Sequence, residues 1–273
     1  MIKTILVLAD GSPGCEIVLS AAVDLSRRFT AHLNVLHVRP ADAGLMPYIG
    51  EGMSAAMVEE IIEAAERNAE ERAASARTAF DRLNTAGLSA SWHAETGPEA
   101  DIAAAVGRLS DLIVIGRPDD PGEIPWRTTL DSILFDTGRP VLILPRNRPS
   151  DIGSRVAVAW NSSAEAAGAV AAALPFFRSA EQVTILSTGP VSRYASAAGL
   201  VTYLARHDVR AATKTFEPGS TPLGNALLEQ CRLSQSDLLV MGAYGHSRLR
   251  EMILGGATRE VLAIADLPVL MAH

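Results

Sequence analysis

The hydrophobic and polar positions of the chain alternate between two periods. Short apolar or β-branched runs at 5–9, 33–38, 91–94, 112–115 and 141–144 are bounded by polar and turn-forming residues, and runs of the same kind return at 156–160, 183–186, 213–216, 238–241 and 269–271. Runs this short and this continuous suit strands buried on both faces of a parallel sheet. Between them, Ile17, Ala21, Ala22 and Leu25 recur at helical spacing, as do Met57, Ile61, Ala64 and Ala65 at the head of a long charged segment. Such spacing puts an apolar stripe on one side of a helix. Each half therefore reads as five strands alternating with helices, the pattern of an open, doubly wound parallel-sheet α/β domain.

The two halves also correspond residue by residue. "SDLIVIGRP" at 110–118 returns as "SDLLVMGAY" at 236–244, 126 positions later. "TGRPVLILP" at 137–145 is answered by "ADLPVLMAH" at 265–273, and "ILVLADGS" at 5–12 by "AVAWNSS" at 157–163. The copies of this last landmark lie about 25 residues further apart than the other two pairs, so the first half carries an insertion, for which 40–83 has the room. The polar, Pro- and Arg-rich stretch 145–155 reads as a linker. The expected domains are 1–147 and 153–273, with Ser162 and Glu165 at capping-box spacing before the first helix of the second.

A chain of 273 residues suits two domains, and 48% hydrophobic with 20% charged residues allows a substantial core. The formal charge of −7 argues against the broad basic surface of a nucleic-acid-binding protein, while leaving room for a local anion site. The opening "MIKTILVLAD" has too short an apolar run for a signal peptide, and no stretch approaches a membrane span, so a cytoplasmic location is expected. Cys15 and Cys231 stand far apart without CxxC spacing and read as reduced, structural thiols. No metal set emerges from the scattered histidines. Nor does the chain contain GxxxxGK[ST] or GxSxG, so no catalytic residues are assigned.

The candidate chemistry lies in "VMGAYGHSRLREMILGGATREVL", residues 240–262, after the fourth strand of the second half. Gly242 and Gly245 stand three apart; nine residues on come Gly255, Gly256 and then Thr258, at the start of a helical pattern. Glycines allow close backbone approach, and a helix start turns free N–H groups and positive dipole toward the loop, a setting that suits phosphate. The plainer reading is a long surface turn before a helix. His246 faces either a phosphate or solvent.

Taken with the repeat pattern, this glycine spacing resembles the nucleotide-binding signature of universal stress proteins. The resemblance covers both halves and identifies the chain as a tandem member. It implies strand order 3-2-1-4-5 in each half and an intrachain pseudo-dimer joined through the final strands. It also implies ATP or another adenine nucleotide, with or without Mg, held by Gly242, Gly245, Gly255, Gly256 and Thr258, with His246 of the same loop a further candidate for the phosphate. Asn161 stands where the family usually has the Asp near adenosine, and Gly256 where many members have a hydroxyl residue. The first half keeps that Asp as Asp10 but reads "RPDDPGEIPW" after Gly116, with Asp119 in place of the second glycine and Asp120 and Glu123 beside it. Its carboxylates would repel a triphosphate, so one nucleotide per chain is expected. The function implied is a cytoplasmic stress-response protein regulated by the nucleotide through an unidentified protein partner, with a homodimer left open. A slow ATPase and a ligand-free scaffold are the alternatives.

Overall fold

A computed structural model describes residues 1–40, 54–83, 85–147, 149, 151–189, 195–243 and 256–273. The first half supplies β1 (Thr4–Leu8), α1 (Cys15–Phe29), β2 (His32–Arg39), α2 (Ala55–Arg82), β3 (Ala90–Thr96), α3 (Glu99–Gly107), β4 (Leu112–Gly116), α4 (Ile124–Phe135) and β5 (Val141–Leu144). The second supplies β6 (Arg155–Ala159), α5 (Ala164–Phe177), β7 (Gln182–Ser187), α6 (Ala197–Ala205), β8 (Ala211–Thr215), α7 (Leu223–Leu233), β9 (Leu238–Gly242), α8 (Gly256–Ile264) and β10 (Val269–Ala272).

All these strands form one sheet in the order β3-β2-β1-β4-β5-β10-β9-β6-β7-β8. Each half thus has the order 3-2-1-4-5 within it, and every pairing inside a half is parallel. The halves join where β5 meets β10 antiparallel, with Leu142 opposite Leu270. Both strands are buried throughout. Alone, each would leave an apolar edge with unpaired backbone groups; pairing them covers both.

Helices cover both faces of this sheet, and each apolar layer runs across the junction. α1, α2, α5 and α6 pack on one face, α3, α4, α7 and α8 on the other. On the first face Phe29 and Phe176 meet edge to face at 5.0 Å, with the Arg28 guanidinium lying over both rings. Arg28 also donates to the carbonyls of Ile152 and Gly153 and bonds Ser179, tying α1 to the start of the second half. On the second face Phe135 packs edge to face on His273 at 4.5 Å.

The recurring Ser-Asp pair has a structural use. Asp111 accepts from the N–H groups of Lys3 and Thr4 at 2.7 and 3.0 Å, and Asp237 accepts from Gly153, Ser154 and Arg155 at 2.7 to 3.1 Å. Each carboxylate therefore satisfies the free donors at the entry of its half's first strand. The helix cap differs from the sequence expectation by one residue. Ser163, not Ser162, caps α5, its hydroxyl accepting from Ala166 N at 3.1 Å. Ser162 instead takes a left-handed φ of 64° and turns its hydroxyl to the Ala195 carbonyl.

Candidate functional site

β6 and β9 are neighbours, Val158 beside Val240, and from them the chain continues outward to β7 on one side and β10 on the other. Such a reversal of strand order opens a crevice beyond the strands' carboxyl ends. The loop after β6 forms one wall. In it Asn161 Oδ1 accepts from Ser163 N at 3.1 Å, which leaves the amide nitrogen as the group this exposed side chain can offer outward. Trp160 Nε1 and Ser162 Oγ both donate to Ala195 O, at 2.9 and 2.5 Å, and fix the loop's course.

Gly242 ends β9 against the first turn of α5. A Cβ there would lie 2.5 Å from Ala166 N and 2.7 Å from the Glu165 carbonyl carbon. The close approach that this glycine permits is therefore to the helix backbone, and it brings the end of β9 beside the Asn161 loop. Gly256, the first described residue of α8, is exposed, and among the described residues the nearest atom to a notional Cβ is Glu260 Oε1 at 3.6 Å. Thr258 is buried in the same first turn. Gly245, His246 and Gly255 lie outside the described residues. α8 is braced from its own half by Glu260, which accepts from Gly224 N at 2.7 Å. From the other half, Arg117 Nη1 donates to Leu262 O at 3.3 Å.

The equivalent crevice of the first half is built alike and furnished differently. Asp10 Oδ1 accepts from Ser12 N at 3.0 Å, and Gly11 has the same left-handed turn, φ 70°, as Ser162. Here α2 lies across the turn. A Cβ on Gly11 would run into the Arg72 carbonyl. Arg72 Nε donates to Asp10 O at 2.8 Å, and Nη2 stands 3.8 Å from Asp10 Oδ2. Arg39 and Glu70 pair alongside at 3.8 Å. After β4 the chain reaches α4 within seven residues, and Trp126 Nε1 donates to Gly116 O at 2.8 Å.

Two of that loop's acidic residues have partners of their own. Asp119 is ion-paired with Arg146, and Asp120 accepts from Gly122 N at 2.8 Å. The opening left between Asp10, Glu99, Gly116, Arg117, Trp126 and Arg146 is about 40 Å³. Burial pushes the Glu99 carboxyl above the usual carboxylate range, with Arg72 pulling it down and Asp10 adding to the rise. Arg72 carries no sequence signal for this role, because the insertion that holds it has no counterpart in the second half, and Trp126 lies in the loop-to-helix stretch where the two repeats diverge. Among the described residues no cluster of His, Cys, Asp and Glu could hold a metal ion, and no helix is long and apolar enough to cross a membrane.

Comparison with known proteins extends over the whole chain. The model of the Universal stress protein family matches residues 1–143 and again 154–273. A universal stress protein of Synechocystis sp. is 24% identical over 300 aligned positions, which cover 98% of this chain and 99% of that protein. Among solved structures, a universal stress protein from Archaeoglobus fulgidus superposes with a TM-score of 0.66 at 18% identity, covering 98% of this chain and 97% of that one. A functionally unknown protein from Pseudomonas aeruginosa PAO1 gives a TM-score of 0.60 at 16% identity, over 99% and 92% of the two chains. With two matches to the family in succession and the family's alternating α/β architecture in each half, the chain belongs to the universal stress protein family as a tandem, two-repeat member.

Proposed function

We propose that the second repeat, 153–273, binds ATP or a related adenine nucleotide and that the first, 1–147, does not. The chain would then act in the cytoplasm as a regulatory stress-response protein whose partner interactions follow the nucleotide. The carrying observation is the asymmetry of the twin crevices. In the second, the Asn161 loop and the end of β9 meet beside α8, where Gly256 is exposed and, among the described residues, Glu260 Oε1 at 3.6 Å is the nearest atom to where its Cβ would be. In the first, Arg72 holds Asp10, and the remaining opening of about 40 Å³ is far below the volume of at least ~300 Å³ typical of ligand clefts.

In this reading the α8 N–H groups and the backbone at Gly245, Gly255 and Gly256 receive the phosphates. Thr258 adds a hydroxyl, His246 lies at the phosphate end, and Asn161 contacts the nucleoside through its amide nitrogen. Mg, where present, would accompany the phosphates. Equilibrium dialysis with labelled ATP on the full chain tests the reading and is expected to give one equivalent. Gly245→Val should reduce affinity far more than Arg210→Ala, and Thr258→Ala should cost about 0.5 to 1.5 kcal/mol. Absence of binding by the wild-type chain, or unchanged affinity in a natively folded Gly245→Val, would return the loop to a purely structural role.

A further inference from the structure

We infer that Arg117 of the first repeat is a positioning residue for α8, the helix at the proposed nucleotide site of the second, holding it from across the β5–β10 junction. The inference rests on the proposed nucleotide site and deepens it. α8 is described over Gly256–Ile264, and as with most helices in water its order depends on what it is packed against. Its last four carbonyls have no partner within the helix, and its last turn contains no basic residue of its own. Arg117 supplies both missing elements, a donor to Leu262 O at 3.3 Å and a positive charge at the negative end of the helix dipole. Leu262 is one turn beyond Thr258, so the contact fixes the turn next to the one that begins the helix.

Three further features single the contact out. Arg117 is anchored at its own backbone, where its N–H donates to Leu144 O at 3.0 Å beside the junction. Among the described residues its buried Nε has no partner, with Arg146 close by as a like charge and Asp266 as an opposite one. The contact is also one-sided. Gly116-Arg117 corresponds to Gly242-Ala243 in the repeat, and alanine has no side chain with which to brace α4 in return. The brace therefore serves the repeat that carries the proposed nucleotide site.

The test uses the full chain and two readouts, ATP affinity by calorimetry and amide hydrogen exchange across α8. Arg117→Met, which keeps the reach and loses the donor and charge, should weaken ATP binding roughly three- to tenfold, the equivalent of about one hydrogen bond. It should also speed exchange at 259–264, while Arg117→Lys recovers part of both and Arg210→Ala changes neither. A lower melting temperature with unaltered affinity would mean that Arg117 is merely structural and would overturn the inference. Failure of the wild-type chain to bind ATP is a separate result, visible before any variant is made, and would remove the nucleotide reading and this inference together.

Discussion

Both cysteines are free and buried, and burial pushes Cys15 up to about 11 and Cys231 up to about 12 from the ordinary 9.0. A thiol with a raised folded-state pKa contributes stability that is intact below the unfolded value and lost as pH rises through the folded one. Between pH 9 and 11 the unfolded chain has released protons that the folded chain still holds, so stability falls as pH rises. Urea unfolding at a series of pH values should show a decline steeper than that of a Cys15→Ala, Cys231→Ala double variant by about 1 kcal/mol per thiol per pH unit. Parallel slopes for the two proteins would contradict it. That these thiols are unpaired is legible in their spacing in the sequence, but the reason for Gly242 is not. Its position in a glycine-rich loop suggests an approach to ligand, whereas in the fold the α5 backbone lies 2.5 Å from where its Cβ would be. A packing partner dozens of residues away leaves no local trace. Asp111 and Asp237 are similar cases: the motif that contains them is conspicuous as a repeat, and only the folded strand entries reveal what their carboxylates accept.

At the scale of elements the strands are legible because each is a short run buried on both faces, as the all-buried VLIL of β5 and VLMA of β10 illustrate. α2 is legible as a helix too, yet not as a closure. Its route is set by Gly11, the one position in that turn where left-handed backbone and absence of a side chain are both needed, since φ is 70° and the Arg72 carbonyl occupies the space beside it. Gly11→Ala should therefore displace α2. The left-handed conformation alone costs about 1 to 2 kcal/mol for a residue with a Cβ, and the steric overlap adds to it. Trp92 lies 5.4 Å from Phe80 of α2 and at the same distance from the Arg77 guanidinium, so its fluorescence reports on that packing. The variant is expected to show altered Trp emission and faster proteolysis within 55–82. An unaltered emission spectrum together with wild-type stability would show that α2 does not depend on this contact.

At the scale of the molecule the two repeats share one sheet and, on each face, one apolar layer that crosses the junction. Neither repeat can melt without exposing the buried β5 or β10 of the other, so a single cooperative unfolding transition is expected. Calorimetry with equal van't Hoff and calorimetric enthalpies would agree with it, and two resolved transitions would contradict it. The antiparallel β5–β10 pairing has a further consequence for descent. In a dimer of identical subunits a substitution is made in both copies at once, so a change that helps one site is imposed on its twin. Covalent succession of the repeats removes that constraint. An arginine can appear at 117 without appearing at 243, and a 28-residue helix can lie over the first crevice where the corresponding helix of the second half has nine residues. Selection can then act on the halves separately, one toward holding a ligand and the other toward holding its neighbour.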